Sequence, residues 1–417
     1  MIFSSLALGT LVLVSSCEKE ETTPTTPTTP TVTGSKSVTK AGLISKNETW
    51  SADSVYYLGG KVVVQAGVTL TIQPGTIIKG KQGTGSLASA LIIAQGGKLI
   101  AEGTADKPII FTSELDNIKS GETIGTNLKK TDSQKWGGLV ILGNAPVSAA
   151  TGNTKAQIEG IPASESYGSY GGDKTDDNSG SLKYVSIRHG GALIGEGNEI
   201  NALTLGGVGS GTTIENIEIY ATLDDGVEFF GGTVNCKNIL VYYQGDDGID
   251  LDQNYAGTVD GFMVIHGDGI GTDEGLELDG PEGSTYIEGK FTLKNGICKG
   301  EGLEGTGADI KAKAQGTIEN VSFDYTNAKT KQVKISASFE TSCISKPDAY
   351  SNYIDKKLVF TNNKYNTNKV TAYTSATCTD ALKAAQTELD KITEGTGATI
   401  TASIFAWTCA GKRGEVK

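Results

Sequence analysis

Between Leu223 and Asp279 one acidic phrase is written three times: Leu223-Asp-Asp-Gly-Val-Glu-Phe-Phe230, Gly245-Asp-Asp-Gly-Ile-Asp-Leu-Asp252 and Thr272-Asp-Glu-Gly-Leu-Glu-Leu-Asp279. Carboxylates at this density can do three kinds of work. Asp-Asp-Gly is a turn formula, with Gly226, Gly248 and Gly275 supplying positive φ and the Asp side chains accepting from backbone N–H groups. Carboxylates from neighbouring turns of chain can share a hard divalent ion such as Ca²⁺, which takes six to eight oxygens. A pair of carboxyls with a raised pKa can act as catalytic acid and base. All three remain open at the level of sequence.

The spacing decides which residues would act together. The copies lie 22 and 27 residues apart, the period of a solenoid whose coils stack. Stacking puts Asp225, Asp247 and Glu274 in one column and Glu228, Asp250 and Glu277 in another, neighbours being about 4.8 Å apart. Two like charges at that distance repel by about 3.5 kcal/mol at an effective dielectric near 20, and by under about 1 kcal/mol in water. The ladder must therefore be solvated, protonated or holding a cation. These six are the expected Ca²⁺ ligands. Asp252 and Asp279 are second choices, because Phe230 stands at their place in the first copy.

The rest of the chain supplies a scaffold for such a ladder. Of 417 residues 56 are Gly, too many for a helical protein. Runs such as Tyr57-Leu-Gly-Gly-Lys-Val-Val-Val64 and Ala90-Leu-Ile-Ile93 are short, β-branched and bounded by Gly or Pro-Gly turns, recurring every 20 to 25 residues. Alternation at Val62 and Val64, or Leu70 and Ile72, turns every second side chain inward. The net charge is −12, and residues 221–282 alone hold 14 Asp plus Glu against the single Lys237. With only Arg188 and Arg413 as arginines, the chain lacks the basic clusters that nucleic acid requires. His189 and His266 are the only histidines, and no zinc-type Cys/His spacing occurs.

Two polar stretches, 114–133 and 148–180, break the period and are expected to leave the coil as loops. The second carries Tyr167, Tyr170, Asp176 and Asp177, a mixture suited to stacking on and hydrogen-bonding sugars. After residue 346 the texture changes. Leu382, Ala385, Leu389 and Ile392 fall on one helical face, with Thr379 or Asp380 as N-cap. This helix and the tail Ile404-Phe-Ala-Trp407 read as the cap that a solenoid end needs. Cys343, just before residue 346, and Cys378 and Cys409 lie toward the C-terminus, where one bridge among the three is expected. Cys236 and Cys298 could pair only from adjacent coils.

At the N-terminus, Ile2 to Val14 is an apolar run too short to remain as a membrane span, ending in Val14-Ser-Ser-Cys17. That end resembles the lipobox of bacterial lipoproteins, with Cys17 as the lipidated residue. Glu18-Lys-Glu-Glu21 resembles the export signal that sends Bacteroidetes lipoproteins to the outer face of the outer membrane. The Thr/Pro stretch at 22–35 reads as an extended tether.

The phrases Gly75-Thr-Ile-Ile-Lys-Gly80, Gly103-Thr-Ala-Asp-Lys-Pro-Ile-Ile-Phe-Thr-Ser113, Trp136-Gly-Gly138, Asn198-Glu-Ile-Asn201 and Asp224-Asp-Gly-Val-Glu-Phe-Phe230 resemble exported bacterial β-helix proteins of the pectin-lyase-like superfamily. The resemblance implies an all-β, right-handed parallel β-helix with a small C-terminal cap containing one helix. The expected layout is a signal peptide at 1–16, anchor and tether at 17–44, β-helix at 45–345 and cap at 346–417. Lyases of that superfamily use an Arg or Lys base with Ca²⁺, and its hydrolases use paired Asp residues. Asp246-Asp247 resembles that pair, and Arg188 is the arginine of the coil region that could serve a lyase; other hydrolase motifs are absent. The expectation is a surface lipoprotein held in the outer membrane, binding glycan or a surface protein, with Ca²⁺ as cofactor and without catalysis. A Ca²⁺-assisted polysaccharide lyase or hydrolase, and a structural subunit of an outer-membrane complex, are the alternatives.

Overall fold

The computed structural model describes residues 36–417 apart from 151, 196–197, 269, 301–304, 326–332 and 367–368. Cys17, the signal segment and most of the tether lie outside the described residues. Twenty-five strands join in one parallel sheet system. Strand pairing divides it into three stacks that each coil visits in turn, and the fold is a parallel β-helix. Its interior is built of residues that meet their own kind one coil on. Val62, Leu91, Leu139, Leu203, Val227, Ile249 and Leu276 are successive direct partners in the third stack, and all are buried. Each such side chain contributes roughly 1.5–3 kcal/mol by leaving water. A lone coil could not bury them, so stability resides in the stacking.

The corner between the first and second stacks is turned by one left-handed residue per coil. Tyr184, Asn216, Asn238, Gly261, Asn295, Asn320 and Asn362 hold φ between 49° and 79° there. Asn is the ordinary residue best suited to that conformation. Its amide also links the coils: Asn238 Nδ2 donates to Asn216 Oδ1 at 2.9 Å, and Asn320 to Asn295 at 3.2 Å.

The glycines of the acidic phrase have a different purpose from the one expected. Gly226, Gly248 and Gly275 are absent from the positive-φ residues. They are small because the coils close tightly: a Cβ on Gly226 would lie 2.5 Å from the Gly248 carbonyl oxygen, and one on Gly248 2.4 Å from Val264 Cγ1.

Both ends of the solenoid extend further than 45–345. Lys36–Ile44, placed in the tether by composition, is a strand paired in parallel with Ser54–Val64. At the other end Leu358–Thr361, Lys364–Tyr365 and Val370–Tyr373 add a further coil. The cap holds three short helices, α1 (Ala349–Ile354), α2 (Thr379–Leu389) and α3 (Cys409–Lys412). Helix α2 buries Ala385 and Leu389, as its periodicity predicts, but its N-cap is Cys378, bonded to Cys343. Gln386 reaches the edge of the last strand, accepting from Ala372 N at 2.9 Å and donating to Val370 O at 3.0 Å. A side chain thus closes backbone groups that a further coil would otherwise pair. Cys236, Cys298 and Cys409 are buried and unbonded.

The tail does not stay at the solenoid end. Phe405, Cys409 and Ala410 pack on Tyr220, Leu240, Tyr242, Met263 and Ile265, the outward apolar residues of the second stack. Glu218, fully buried there, accepts from Cys409 N and Ala410 N at 2.9 Å each. Arg413 donates to Gly125 and Leu128 carbonyls of the 114–133 loop, both at 3.0 Å.

Candidate cation site

The outward face of the third stack changes character along the solenoid. One column runs Val63, Ile92, Val140, Thr204, Glu228, Asp250, Glu277, Asp309, Lys334. Its apolar start is covered by the 148–180 loop, whose Ile158, Ile161 and Tyr170 pack with Ile92, Val140 and Leu142. Its middle is acidic, and the acidic run stops at Lys334, which Thr371 follows in the last coil. Glu228, Asp250 and Glu277 are direct register partners, the column the repeat spacing predicts.

The second predicted column forms at the neighbouring corner and is tied by backbone bonds between coils. Asp247 N donates to Asp225 Oδ1 at 2.9 Å, and Glu274 N to Asp247 Oδ1 at 2.7 Å. The Asp side chains therefore do accept from backbone N–H groups, though from the next coil and not their own turn. Each retains a second oxygen for other work.

Besides the group Asp224, Asp225 and Asp246, which reaches the solvent, two deeper groups of carboxylates result. In the first, ligand oxygens of Asp225, Glu228 and Asp250 lie within 4.8 Å of one another, and all three residues are buried. Asn201 Nδ2 donates to Glu228 Oε2, whereas Asp250 Oδ1 is buried without a hydrogen-bond partner. Among the described residues no lysine or arginine pairs with any of these three. Burial drives all three carboxyls well above the usual carboxylate range, and neighbouring acids, Asp224 beside Asp225 and Asp252 beside Asp250, push further. Two oxygens on opposite sides of a Ca²⁺ ion are about 5 Å apart at most, since each sits at about 2.3–2.6 Å. The spacing of this group fits that limit.

The second group, Asp247, Glu274 and Glu277, has the same compactness but is answered by lysines. Lys334 Nζ lies 2.5 Å from Glu274 Oε1 and 3.1 Å from Asp309 Oδ2, and Lys311 Nζ pairs with Glu277 Oε1. Burial lifts Glu274 to about 7 despite Lys334. Glu277 is also raised by burial, but hydrogen bonds with Asp247 and Lys311 outweigh this and leave it below its ordinary value. Further out, Asp252 is raised by burial and by Asp279, which is itself lifted by burial to about 6.

The proposed catalytic set is not assembled. Asp246 is exposed and Asp247 buried at the corner of the third stack. Arg188 belongs to the second stack, opposite Tyr220. It is 1 % exposed, 3.8 Å from Glu218, with the tail over it, and so does not face the acids as a lyase base would. The apolar face made by Tyr220, Leu240 and Met263 demands that cover. His189, at φ 62°, is buried, with Asp132 O 2.6 Å from its Nδ1. His266 is buried against the Tyr325 hydroxyl at 3.1 Å.

The sugar-binding set is also dispersed. Tyr170 is 1 % exposed, tilted against Phe230 with its hydroxyl on Gln253 Oε1 at 3.1 Å, so neither ring face can take a pyranose. Tyr167 packs partly into the same apolar patch. Asp177 accepts from Asn144 and Ser179 at 3.0 and 3.1 Å and fixes the loop, while Asp176 is exposed. The concave surface near this loop is instead a polar cleft of about 680 Å³ lined by Gly152, Glu282, Glu288, Lys313, Asn352 and Lys357. Sequence reasoning missed Asn201, Asp309, Lys311 and Lys334. The period could have found Asp309, one coil beyond Glu277, but the lysines interrupt the acidic pattern.

Neither comparison with curated proteins nor comparison with solved structures finds a match. A family model described as a pectate-lyase-like β-helix domain matches residues 42–410, in agreement with the stacking seen from Lys36 onwards. The chain belongs to the pectate-lyase-like β-helix family.

Proposed function

We propose that this protein is a non-catalytic binding β-helix whose acidic coils hold Ca²⁺, displayed on the bacterial outer membrane by a lipid on Cys17. The observation that carries the cation is the buried group Asp225, Glu228 and Asp250, which has no cationic partner among the described residues. Leaving three such charges uncompensated would cost several kcal/mol each. A hard cation removes that cost and uses the oxygen-only donor set it prefers. Asp224 and Asp246 stand beside Asp225 at the solvent side of the corner, so an ion there can complete its shell with oxygen from an acidic sugar. The polar cleft offers amide, carboxylate and ammonium groups to the rest of such a chain.

Catalysis is disfavoured by the placement of the bases. Arg188 is enclosed under the tail in another stack. Lys311 and Lys334 do face the acids, but burial, which lowers a lysine pKa, is outweighed by their carboxylate partners, which hold them protonated. A protonated lysine cannot abstract a proton. The test is binding of polygalacturonate by calorimetry, with Ca²⁺ and with EDTA, followed by ultraviolet absorbance for unsaturated products. Ca²⁺-dependent binding without new absorbance is expected. Product formation would replace the binding assignment with the lyase one.

A further inference from the structure

The two carboxylate groups have the same composition of charge but differ in what neutralises them. Among the described residues Asp225, Glu228 and Asp250 carry three carboxylates and no cationic partner, with Asp250 Oδ1 buried and unpartnered. Asp247, Glu274 and Glu277 also carry three, but Lys334 and Lys311 bring two ammonium groups to Glu274 and Glu277. Both lysines come from the strand run one or two coils further along: Lys311 follows Ala308–Ile310, and Lys334 lies within Val333–Ser336. Lys334 also stands directly after Asp309 in the register column, so it ends the like-charged run.

Resting on the proposed Ca²⁺ function, we propose that Lys311 and Lys334 act as built-in cations that close the Asp247, Glu274 and Glu277 group to metal, confining the protein to one divalent ion at Asp225, Glu228 and Asp250. Each ammonium group occupies one oxygen of a carboxylate in that group, Lys334 at Glu274 Oε1 and Lys311 at Glu277 Oε1. A divalent ion entering there must displace two tethered charges, whereas at the other group it meets only carboxylates and the Asn201 amide. The lysines are thus specificity-determining residues for the number and place of ions.

The experiment is native mass spectrometry of the full chain with Ca²⁺, counting bound ions, on wild type, Lys311→Met/Lys334→Met and Lys311→Arg/Lys334→Arg. One ion in wild type, two in the Met variant and one in the Arg variant are expected. Two ions in wild type, or one ion in a folded Met variant, would overturn the lysine role while leaving the Ca²⁺ function intact. No ion in wild type with one gained by the Met variant would remove the Ca²⁺ function and keep the lysine role. No ion in either would remove both. Should the Met variant fail to fold, anomalous diffraction from wild-type crystals soaked in Tb³⁺ decides. A peak at Asp225, Glu228 and Asp250 alone is expected, and a peak at Asp247, Glu274 and Glu277 would overturn the proposal.

Discussion

Two charged ladders climb this solenoid, and they handle charge in opposite ways. On the first stack the outward column reads Glu102, Lys183, Glu215, Lys237, Asp260, Lys294, Glu319, changing sign at every coil. Lys183 approaches Glu102 at 3.6 Å and Lys294 approaches Asp260 at 3.3 Å. On the third stack Glu228, Asp250, Glu277 and Asp309 follow one another without a change of sign until Lys334. Strand spacing is the same in both, so stacking alone does not produce like-charged neighbours. The exposed ladder, where repulsion would be weak, is neutralised within itself. In the buried one, where repulsion is strong, Glu277 and Asp309 are answered by Lys311 and Lys334, but Glu228 and Asp250 by no lysine or arginine among the described residues. The proposed Ca²⁺ ion would supply the counter-charge that Glu228 and Asp250 lack.

The contrast can be broken most forcefully with pH. In EDTA the protein is expected to lose stability as pH rises from about 4 to 7. The sign follows from the folded carboxyls, raised by burial above their unfolded values near 4: the folded state binds more protons, so raising pH favours unfolding. Each unit of elevation is worth about 1.4 kcal/mol, and Glu274, at about 7, and Asp279, at about 6, set the window. Chemical denaturation at a series of pH values measures it, and Ca²⁺ should flatten the curve. A curve that rises with pH in EDTA would mean the acids are compensated within the chain.

Next in size is Asp225→Asn/Asp250→Asn. An Asn side-chain oxygen can still accept from Asp247 N, so the coil contact survives while the charge is lost. At pH 7.5 in EDTA this variant should be more stable than wild type by about 1–4 kcal/mol, read from denaturant midpoints. Loss of stability in EDTA would assign these acids a purely structural role. The smallest effect belongs to the alternating ladder: Glu215→Lys, which sets three lysines in a row, should cost about 1 kcal/mol or less and be masked by salt. A larger cost that salt does not relieve would show that the first stack is as electrostatically sensitive as the third.

Much of this was legible in the sequence because a solenoid turns spacing into contact. The three acidic phrases at intervals of 22 and 27 residues place Glu228, Asp250 and Glu277 in one column, and they are register partners. What repetition does not encode was lost. Arg188 is buried by a tail that begins more than 200 residues later, a contact no local pattern announces. Tyr170 looked like a sugar platform because a loop tyrosine is usually exposed, but the apolar column under it, Ile92 and Val140, drew it inward. The glycines of the acidic turns were assigned to backbone freedom, when the closeness of Val241 and Val264 is what excludes a Cβ.

The most direct measurement is a thermal melt of the full chain in EDTA and again with millimolar Ca²⁺, beside Asp225→Asn/Asp250→Asn. Ligand at 100 times its Kd stabilises by about 2.7 kcal/mol, so a rise of several degrees is predicted for wild type and none for the variant. Equal melting temperatures with and without Ca²⁺ in the wild type, or an equal rise in the variant, would contradict a cation at Asp225, Glu228 and Asp250.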